Sequence, residues 1–121
     1  MFDELILSKL ESCIEHITAI DNYVEEILSP QEFIKKNQGL NYDAVLMRLQ
    51  VLGELFKNIS KKNPEVIIAL NYPEITDIIK FRDFISHHYE RLEQEIIFDI
   101  CKRNIPQLKA CITTLQKSNN S

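Results

Sequence analysis

The segment from residue 80 to residue 89 combines side chains that could together cleave a phosphodiester bond. Arg82 carries a planar guanidinium suited to binding a phosphate, and His87 carries the side chain best suited to proton transfer near neutral pH. Asp83 precedes His87 by four residues, and Tyr89 follows it by two. A 2′-hydroxyl can attack the adjacent phosphate when a base removes its proton and a cation stabilises the developing charge, so this set requires no metal ion.

A helix over this segment would bring the polar side chains together. At about 100° per residue, Arg82, Ser86, Asp83 and His87 fall within one arc, and Tyr89 lies beside Arg82 at its edge. Asp83 is one turn before His87, so its carboxylate is expected to orient the imidazole and to favour its protonated form. The arc would supply a phosphate anchor, a proton-transfer group, its orienting partner and a phenol.

Other interpretations of these residues stay open at this point. An arginine, an aspartate and a histidine on one helix are more often an ion-paired, solvated surface than a catalytic site. A metal site through Asp83, His87 and Glu90 would have incomplete geometry on a single helix, so no metal is predicted. His88 falls on the apolar side of the helix, where packing is expected, and His16 has no second ligand pair and is predicted to be structural or exposed.

The elements that position these side chains are predicted to be helices. Apolar residues recur at intervals of three and four, and no segment shows a sustained period of two. Each proline follows a residue at which a helix could begin, and Ser29 with Glu32 forms a capping-box pattern. Asn41 is the expected cap of the third helix, and Gly53 within that helix indicates the close approach of a neighbour. The predicted helices span residues 2–28, 30–37, 41–61, 64–70, 73–89, 93–104 and 105–118.

The composition favours a single all-α domain over residues 1–121, arranged as an antiparallel helical bundle. Hydrophobic residues make up 45% of the chain, whereas only two glycines and four prolines are available for turns. Sheets with many tight turns need more glycine than this. Three cysteines without a C-x-x-C pair, an acidic start and short apolar runs predict a cytoplasmic protein without a membrane span.

The charge is slightly acidic overall and unevenly distributed. A net charge of −4 argues against a broad basic surface for nucleic acid, although a small site could still bind one or two phosphates. Residues 1–34 carry eight acidic side chains and one lysine, whereas residues 100–121 carry four basic side chains and no acid. This polarity fits either solvated helix faces or a surface used for a partner.

The motif resembles that of the HEPN superfamily, and most closely that of its HepT-like toxins. The family pattern is an arginine, a polar residue, a histidine after a short gap, one residue and a tyrosine, which here are Arg82, Asp83, His87 and Tyr89. The RLQVLGE sequence at residues 48–54 and the last helical region at residues 95–108 are similar to the family as well. The resemblance covers about residues 5–115, in the same order along the chain.

This resemblance implies an all-helical homodimer in which the two motif helices face each other in a composite cleft. It implies a metal-independent ribonuclease without a cofactor, acting on RNA as the toxin of a type VII toxin–antitoxin pair. By position in the motif, Arg82 and His87 would be the catalytic pair and Asp83 the polar supporter, and Ser86 is a supporting residue because it lies on the same helical arc. A nucleotidyltransferase antitoxin of the MNT type would transfer AMP to Tyr89 and so block the ribonuclease.

Two other functions remain compatible with the sequence. The chain could be a non-catalytic subunit of a nucleotidyltransferase complex that holds substrate or nucleotide, with Arg82 needed for binding only. It could also be a plain interaction bundle, in which case substitution of Arg82 or His87 would change stability alone. The sequence departs from the family where His88 replaces a common glycine and Asp83 replaces a common asparagine.

Overall fold

The computed structural model describes residues 2–88 and 93–119, and these residues are helical for most of their length. No strand occurs among them, which confirms the predicted all-α class. The α-helices are α1 (Glu4–Val24), α2 (Pro30–Lys35), α3 (Leu40–Lys62), α4 (Pro64–Leu70), α5 (Ile75–His88), α6 (Gln94–Asp99) and α7 (Ile105–Asn119). A short 3₁₀ turn (Lys36–Gly39) precedes α3, and a π-helical segment (Ile100–Asn104) joins α6 to α7.

The long helices pack around one cluster of buried apolar side chains. α3 lies at the centre, in contact with α1 on one side and with α5 on the other, and α7 packs against α1. The buried residues of α1 recur at intervals of three and four and are Ile6, Leu10, Cys13, Ile17, Ile20 and Val24. This spacing keeps one stripe of the helix in the core and leaves the charged side chains outside.

The sequence predicted one helix cap correctly and another incorrectly. Ser29 caps α2 by accepting a hydrogen bond from the Glu32 backbone nitrogen at 3.1 Å, and the Glu32 carboxylate accepts in return from the Leu28 nitrogen at 3.2 Å. The first contact is the one that the capping-box pattern predicts, whereas the second reaches the residue before the cap and not Ser29 itself. Asn41 does not cap α3, because its Nδ2 donates to the Tyr23 carbonyl oxygen at 2.9 Å and joins α3 to the end of α1.

Several predicted boundaries differ from the structure. α2 ends at Lys35 and not at residue 37, and the helix predicted over 93–104 consists of α6 followed by the π-helical segment. α1 ends at Val24 and not at residue 28, because the Val24 carbonyl accepts hydrogen bonds from the Ile27 nitrogen at 3.0 Å and from Lys102 Nζ at 2.6 Å. Pro73 is not the first residue of α5. It lies in a turn closed by the Ile75 nitrogen, which donates to the Tyr72 carbonyl oxygen at 3.2 Å, and the helix begins after it.

Part of the uneven charge is used inside the fold. The acidic helix α1 packs against the basic C-terminal region, where Lys109 Nζ lies 3.4 Å from Asp21 Oδ2. Lys102 places its positive charge on the last carbonyl of α1, at the negative end of the helix dipole. Internal pairing therefore accounts for some of the polarity that the sequence left open. Within the described residues, no helix is both long and apolar enough to cross a membrane.

Candidate active site

The predicted site lies beside a close approach of α3 and α5. A Cβ atom added to Gly53 on α3 would lie 2.9 Å from the Arg82 Cβ and 3.1 Å from the Ile78 carbonyl oxygen on α5. Real Cβ atoms do not approach other atoms this closely, so only glycine permits this distance between the helices. The predicted close approach is confirmed, and it fixes the backbone of Arg82 against α3.

Arg82 extends from this contact toward two carboxylates. Its Nε lies 2.6 Å from Glu54 Oε2 on α3, and its Nη1 donates to Asp83 Oδ1 at 2.9 Å. The side chains are 39% exposed for Arg82, 53% for Glu54 and 58% for Asp83. At this exposure an ion pair contributes about 0–1 kcal/mol, so the guanidinium is oriented and still exchangeable.

His87 is oriented by the backbone and not by the Asp83 carboxylate. Its Nδ1 lies 2.8 Å from the Asp83 carbonyl oxygen, whereas the Asp83 carboxylate contacts Arg82. The expected carboxylate–imidazole contact is therefore wrong in its detail, although the same two residues meet across one turn. Because a carbonyl oxygen only accepts hydrogen bonds, Nδ1 carries the proton in this contact. In the neutral ring, Nε2 then has the lone pair that can accept a proton.

Ser86 completes the exposed face and connects it to α3. Its Oγ accepts a hydrogen bond from Gln50 Nε2 at 3.3 Å. We call the resulting surface the α3–α5 patch, and it consists of Gln50, Glu54, Arg82, Asp83, Ser86 and His87. All four predicted site residues that the structure describes belong to it. Tyr89 and Glu90 lie outside the described residues, and the side chain of His88 is not described.

Gln50 and Glu54 were not predicted as site residues. Both lie in the RLQVLGE stretch, four residues apart, so they share one face of α3. This spacing, together with the nearby Gly53, was the sequence signal that could have identified them as residues facing a neighbouring helix. The tertiary arrangement decides which helix packs against this face of α3. It therefore also decides that Glu54 contacts Arg82.

His16 lies in a different setting, between α1 and α3. Its Nδ1 is 2.9 Å from Arg48 Nη1, and because a guanidinium only donates, the imidazole accepts this hydrogen bond in its neutral form. Burial and then the positive charge of Arg48 lower the pKa of His16, against a smaller opposing effect of Glu15. The contact joins two core helices, in agreement with the predicted structural role.

The cysteines are poor candidates for nucleophilic chemistry. All three are free, and Cys13 and Cys101 are buried. Burial raises the pKa of each of these two thiols to about 12, so neither forms a thiolate readily near neutral pH. Among the residues that the structure describes, no group of three or more His, Cys, Asp and Glu side chains could hold a metal ion.

The α3–α5 patch can bind an anion and transfer a proton. Arg82 offers a positive charge with several N–H donors, and His87 offers a ring nitrogen that can take up a proton on the same helix. Ser86 adds a hydroxyl between them in sequence, held by Gln50. Both the cation and the base are exposed, as a large substrate with a charged backbone would require.

Comparison with known proteins identifies the family to which this chain belongs. The sequence model of the family described as ribonuclease HepT-like matches residues 11–115. The chain therefore belongs to the HepT-like ribonuclease family, which confirms the assignment made from the motif. The match includes α3 and α5, and with them the whole α3–α5 patch.

Individual relatives agree with this assignment. A Thermococcus cleftensis protein named "Probable ribonuclease HepT" is 30% identical over 112 residues, which cover 89% of this chain and 93% of the relative. A Methanocaldococcus jannaschii protein whose name begins "Putative RNase" is 30% identical over 99 residues, which cover 80% of this chain and 75% of the relative. Another protein of that organism, whose name combines a gamma-glutamylcyclotransferase with an RNase, is 25% identical, and the match spans only 42% of it. No solved structure matched the chain.

Proposed function

We propose that this protein is a metal-independent endoribonuclease in which Arg82 and His87 form the catalytic pair. The observation that carries the proposal is the 2.8 Å contact between His87 Nδ1 and the Asp83 carbonyl oxygen. It directs the basic nitrogen Nε2 away from the helix backbone, on the same exposed patch as the Arg82 guanidinium. Membership of a ribonuclease family supports RNA as the substrate.

The proposed reaction uses the 2′-hydroxyl of RNA as the nucleophile. His87 Nε2 takes the proton of this hydroxyl, and the 2′-oxygen forms a bond to the adjacent phosphorus. The bond from phosphorus to the 5′-oxygen breaks, and that oxygen takes up a proton from solvent. The products are a 2′,3′-cyclic phosphate and a 5′-hydroxyl end.

Arg82 would stabilise the negative charge that develops on the phosphate oxygens. Its contacts to Glu54 and Asp83 use Nε and Nη1, so Nη2 can point to a phosphate oxygen without breaking either contact. Both pairs are exposed and hence weak, so the phosphate can also replace a carboxylate. The two carboxylates would keep the guanidinium extended in the free protein.

The patch is shallow, and we propose that a second copy of the chain completes it. More than half of the Glu54 and Asp83 side-chain surfaces is open to solvent, whereas catalytic sites are usually concave. Two copies related by a two-fold axis, with their α5 helices face to face, would form a cleft containing Arg82 and His87 from both. Mixing Arg82→Ala with His87→Ala subunits tests this, because a mixed dimer with composite sites would recover activity that neither variant has alone.

The main test is RNA cleavage by purified protein in the presence of a metal chelator. We expect cleavage products with 2′,3′-cyclic phosphate ends and a loss of activity of at least about 100-fold in His87→Ala. His16→Ala is the matched control, because it removes a histidine that lies in the fold and not on the patch. Activity that persists in His87→Ala would refute the assignment of the catalytic base.

We also propose that a nucleotidyltransferase antitoxin of the MNT type regulates the protein by adding AMP to Tyr89. The support is the motif alone, since Tyr89 follows α5 directly and lies outside the described residues. Co-expression with the candidate antitoxin should give an increase in intact mass by whole AMP units. The increase should vanish in Tyr89→Phe and persist in Tyr23→Phe.

The same co-expression separates this proposal from a non-catalytic role. A subunit that only holds substrate or nucleotide would form a stable complex with the nucleotidyltransferase, remain unmodified and show no ribonuclease activity when purified alone. Arg82→Ala would then weaken binding and leave no cleavage to lose.

A further inference from the structure

We infer that a cavity between α5 and the α6–π segment is a subsite for an adenine base. The cavity has a volume of about 390 Å³ and is lined by Phe81, Phe84, Ile96, Glu74, Asp99 and Asn104, among others. It is separate from the α3–α5 patch, although α5 contributes to both. The inference rests on the proposed ribonuclease function, which supplies RNA as the ligand class, and its own evidence is the chemistry of the cavity wall.

The apolar part of the wall fits a flat aromatic ring. The Phe81 and Phe84 ring centroids are 5.7 Å apart with their planes tilted by 48°, and Phe84 is 39% exposed. Ile96, on the α6 side, is 43% exposed. Bases that leave a nucleic-acid stack commonly bind against aromatic side chains, because every base has an apolar face.

The polar part of the wall contains a buried acceptor that lacks a partner. Asn104 is only 4% exposed, and among the described residues nothing donates a hydrogen bond to its Oδ1. Its Nδ2 donates to Glu74 Oε2 at 2.7 Å and to the Tyr72 hydroxyl at 2.9 Å. Because an ionised carboxylate only accepts, the amide cannot be turned around, and the unpaired atom is the oxygen.

An unpaired buried acceptor favours a ligand that donates. The exocyclic amino group of a base is such a donor, and it would lie at the edge of a ring held between Phe84 and Ile96. The cavity is also lined by the carboxylates of Glu74, Asp77 and Asp99, which are acceptors, and by two cations, Lys80 and Arg103. Arg103 donates from Nε to Asp99 and from Nη1 to Glu74, so a carbonyl oxygen that faced these carboxylates would be repelled. Adenine is the standard base that has an exocyclic amino group and no carbonyl oxygen, so it is the base that this wall selects.

The cavity is placed to read a nucleotide near the bond that is cut. Phe84 precedes His87 by three residues on α5, so the two side chains are neighbours on the helix surface. Phe81 is adjacent in sequence to Arg82. An RNA strand whose phosphate lies at Arg82 could therefore place a nearby base in the cavity, and cleavage would favour sites next to adenosine.

Binding is tested first with AMP and with purine riboside 5′-monophosphate, which is AMP without its amino group. We expect AMP to shift the amide resonances of Phe84, Ile96 and Asn104, and the analogue to bind at least about tenfold more weakly. GMP and UMP, which carry carbonyl oxygens, should bind more weakly than AMP. Equal binding of AMP and the analogue would overturn the role given to Asn104 Oδ1.

Two variants test whether AMP binds in this cavity. Phe84→Ala should weaken AMP binding, and its folding is checked by thermal unfolding because part of the ring packs on α5. The control is Ile68→Ala, which removes an apolar side chain that is 78% exposed and does not line the cavity. If Phe84→Ala is folded and binds AMP as the original chain does, the cavity is not the adenine subsite.

Cleavage of defined RNAs separates this inference from the proposed function. Replacing one adenosine next to a mapped cleavage site by purine riboside should lower cleavage there by about tenfold or more. Unchanged metal-free cleavage of that RNA, together with no AMP binding, would refute the subsite and leave the ribonuclease proposal standing. AMP binding at the cavity in a protein that cuts no RNA would support the subsite and refute the ribonuclease proposal.

Discussion

Two arginines of this protein contact two carboxylates each, and the two pairs of carboxylates are held differently. Arg82 contacts Glu54 and Asp83, whose side chains are more than half exposed. Arg103 contacts Asp99, which is as exposed as Asp83, at 3.3 Å, and Glu74 at 3.0 Å. The difference lies in Glu74, which also accepts hydrogen bonds from the Tyr72 hydroxyl and from the buried Asn104 amide. An exposed pair can be exchanged for a phosphate, whereas a pair anchored in a network keeps its geometry.

The pKa of Arg103 reflects its two carboxylate partners. Hydrogen bonds to Asp99 and Glu74, and then the negative charge of Glu74, raise the pKa of Arg103. Glu74 also accepts from the Tyr72 hydroxyl at 3.2 Å and from Asn104 Nδ2 at 2.7 Å, so its carboxylate is fixed on several sides. The comparison indicates that the number of contacts around an arginine does not reveal its function. What matters is whether its partners have other bonds that hold them in place.

The largest expected effect comes from removing Arg82, with the removal of Arg103 as the comparison. Arg82→Ala should lower ribonuclease activity by about 100- to 1000-fold, because it removes the cation that stabilises the developing phosphate charge. Its thermal stability should change little, since its ion pairs are exposed. Arg103→Ala is the comparison, and its cleavage should fall by no more than about tenfold, because Arg103 lines the proposed adenine subsite and does not belong to the α3–α5 patch. If the two variants lost activity equally, the distinction between the two arginines would fail.

Gly53→Ala tests whether the close approach of α3 holds Arg82 in position. The added Cβ would meet the Arg82 Cβ at 2.9 Å and the Ile78 carbonyl oxygen at 3.1 Å, and backbone atoms cannot move aside cheaply. Overpacking of this kind costs about 1–3 kcal/mol, against a gain of about 1 kcal/mol in helix propensity. Displacement of Arg82 should lower cleavage by about 10- to 100-fold. Urea unfolding and cleavage rates measure both effects, and an active, fully stable variant would show that the close approach does not position the site.

Asn104→Ala tests whether the hydrogen bonds around Glu74 stabilise the fold. Removing the amide leaves Glu74 and the Tyr72 hydroxyl with fewer partners in a buried cluster, which should lower the free energy of unfolding by about 1–3 kcal/mol. The control is Asn22→Ala, on the exposed surface of α1, where a change within about 0.5 kcal/mol is expected. Denaturant unfolding of both variants gives the difference, and equal stabilities would mean that the cluster is not structural.

The smallest expected effect is the pH dependence contributed by His16. Because burial and Arg48 hold its pKa below the ordinary 6.5, the unfolded chain binds a proton more readily than the folded one. This contribution to stability is therefore present above pH 6.5 and lost as the pH falls below it. His16→Asn keeps an acceptor for Arg48 without a titrating ring, so its free energy of unfolding should fall less between pH 7 and pH 5. Identical pH profiles would exclude this contribution.

The sequence was sufficient to predict most of the helices and the residues of the motif. From the apolar spacing and the prolines, the full range of α4 was predicted correctly, and both ends of α3 were predicted to within a residue or two. The errors fell where distant residues decide the outcome. α1 ends early because Lys102, far along the chain, donates to its last carbonyl, and Asn41 bonds to Tyr23 instead of capping its own helix.

For the site, the sequence determined which side chains share one face of α5, because helical periodicity fixes their angles. Arg82, Asp83, Ser86 and His87 follow from that periodicity alone. It did not determine which atom of Asp83 meets His87, since the carboxylate and the carbonyl oxygen are both within reach across one turn.

Only the tertiary structure decided what surrounds the motif. The helix α3 supplies Glu54 and Gln50, and the α6–π segment supplies Asn104 and the cavity next to Phe84. These contacts join residues about 20 to 36 positions apart in the chain. Periodicity carries information over a few turns, whereas contacts at this range depend on how the apolar stripes of all the helices pack into one core.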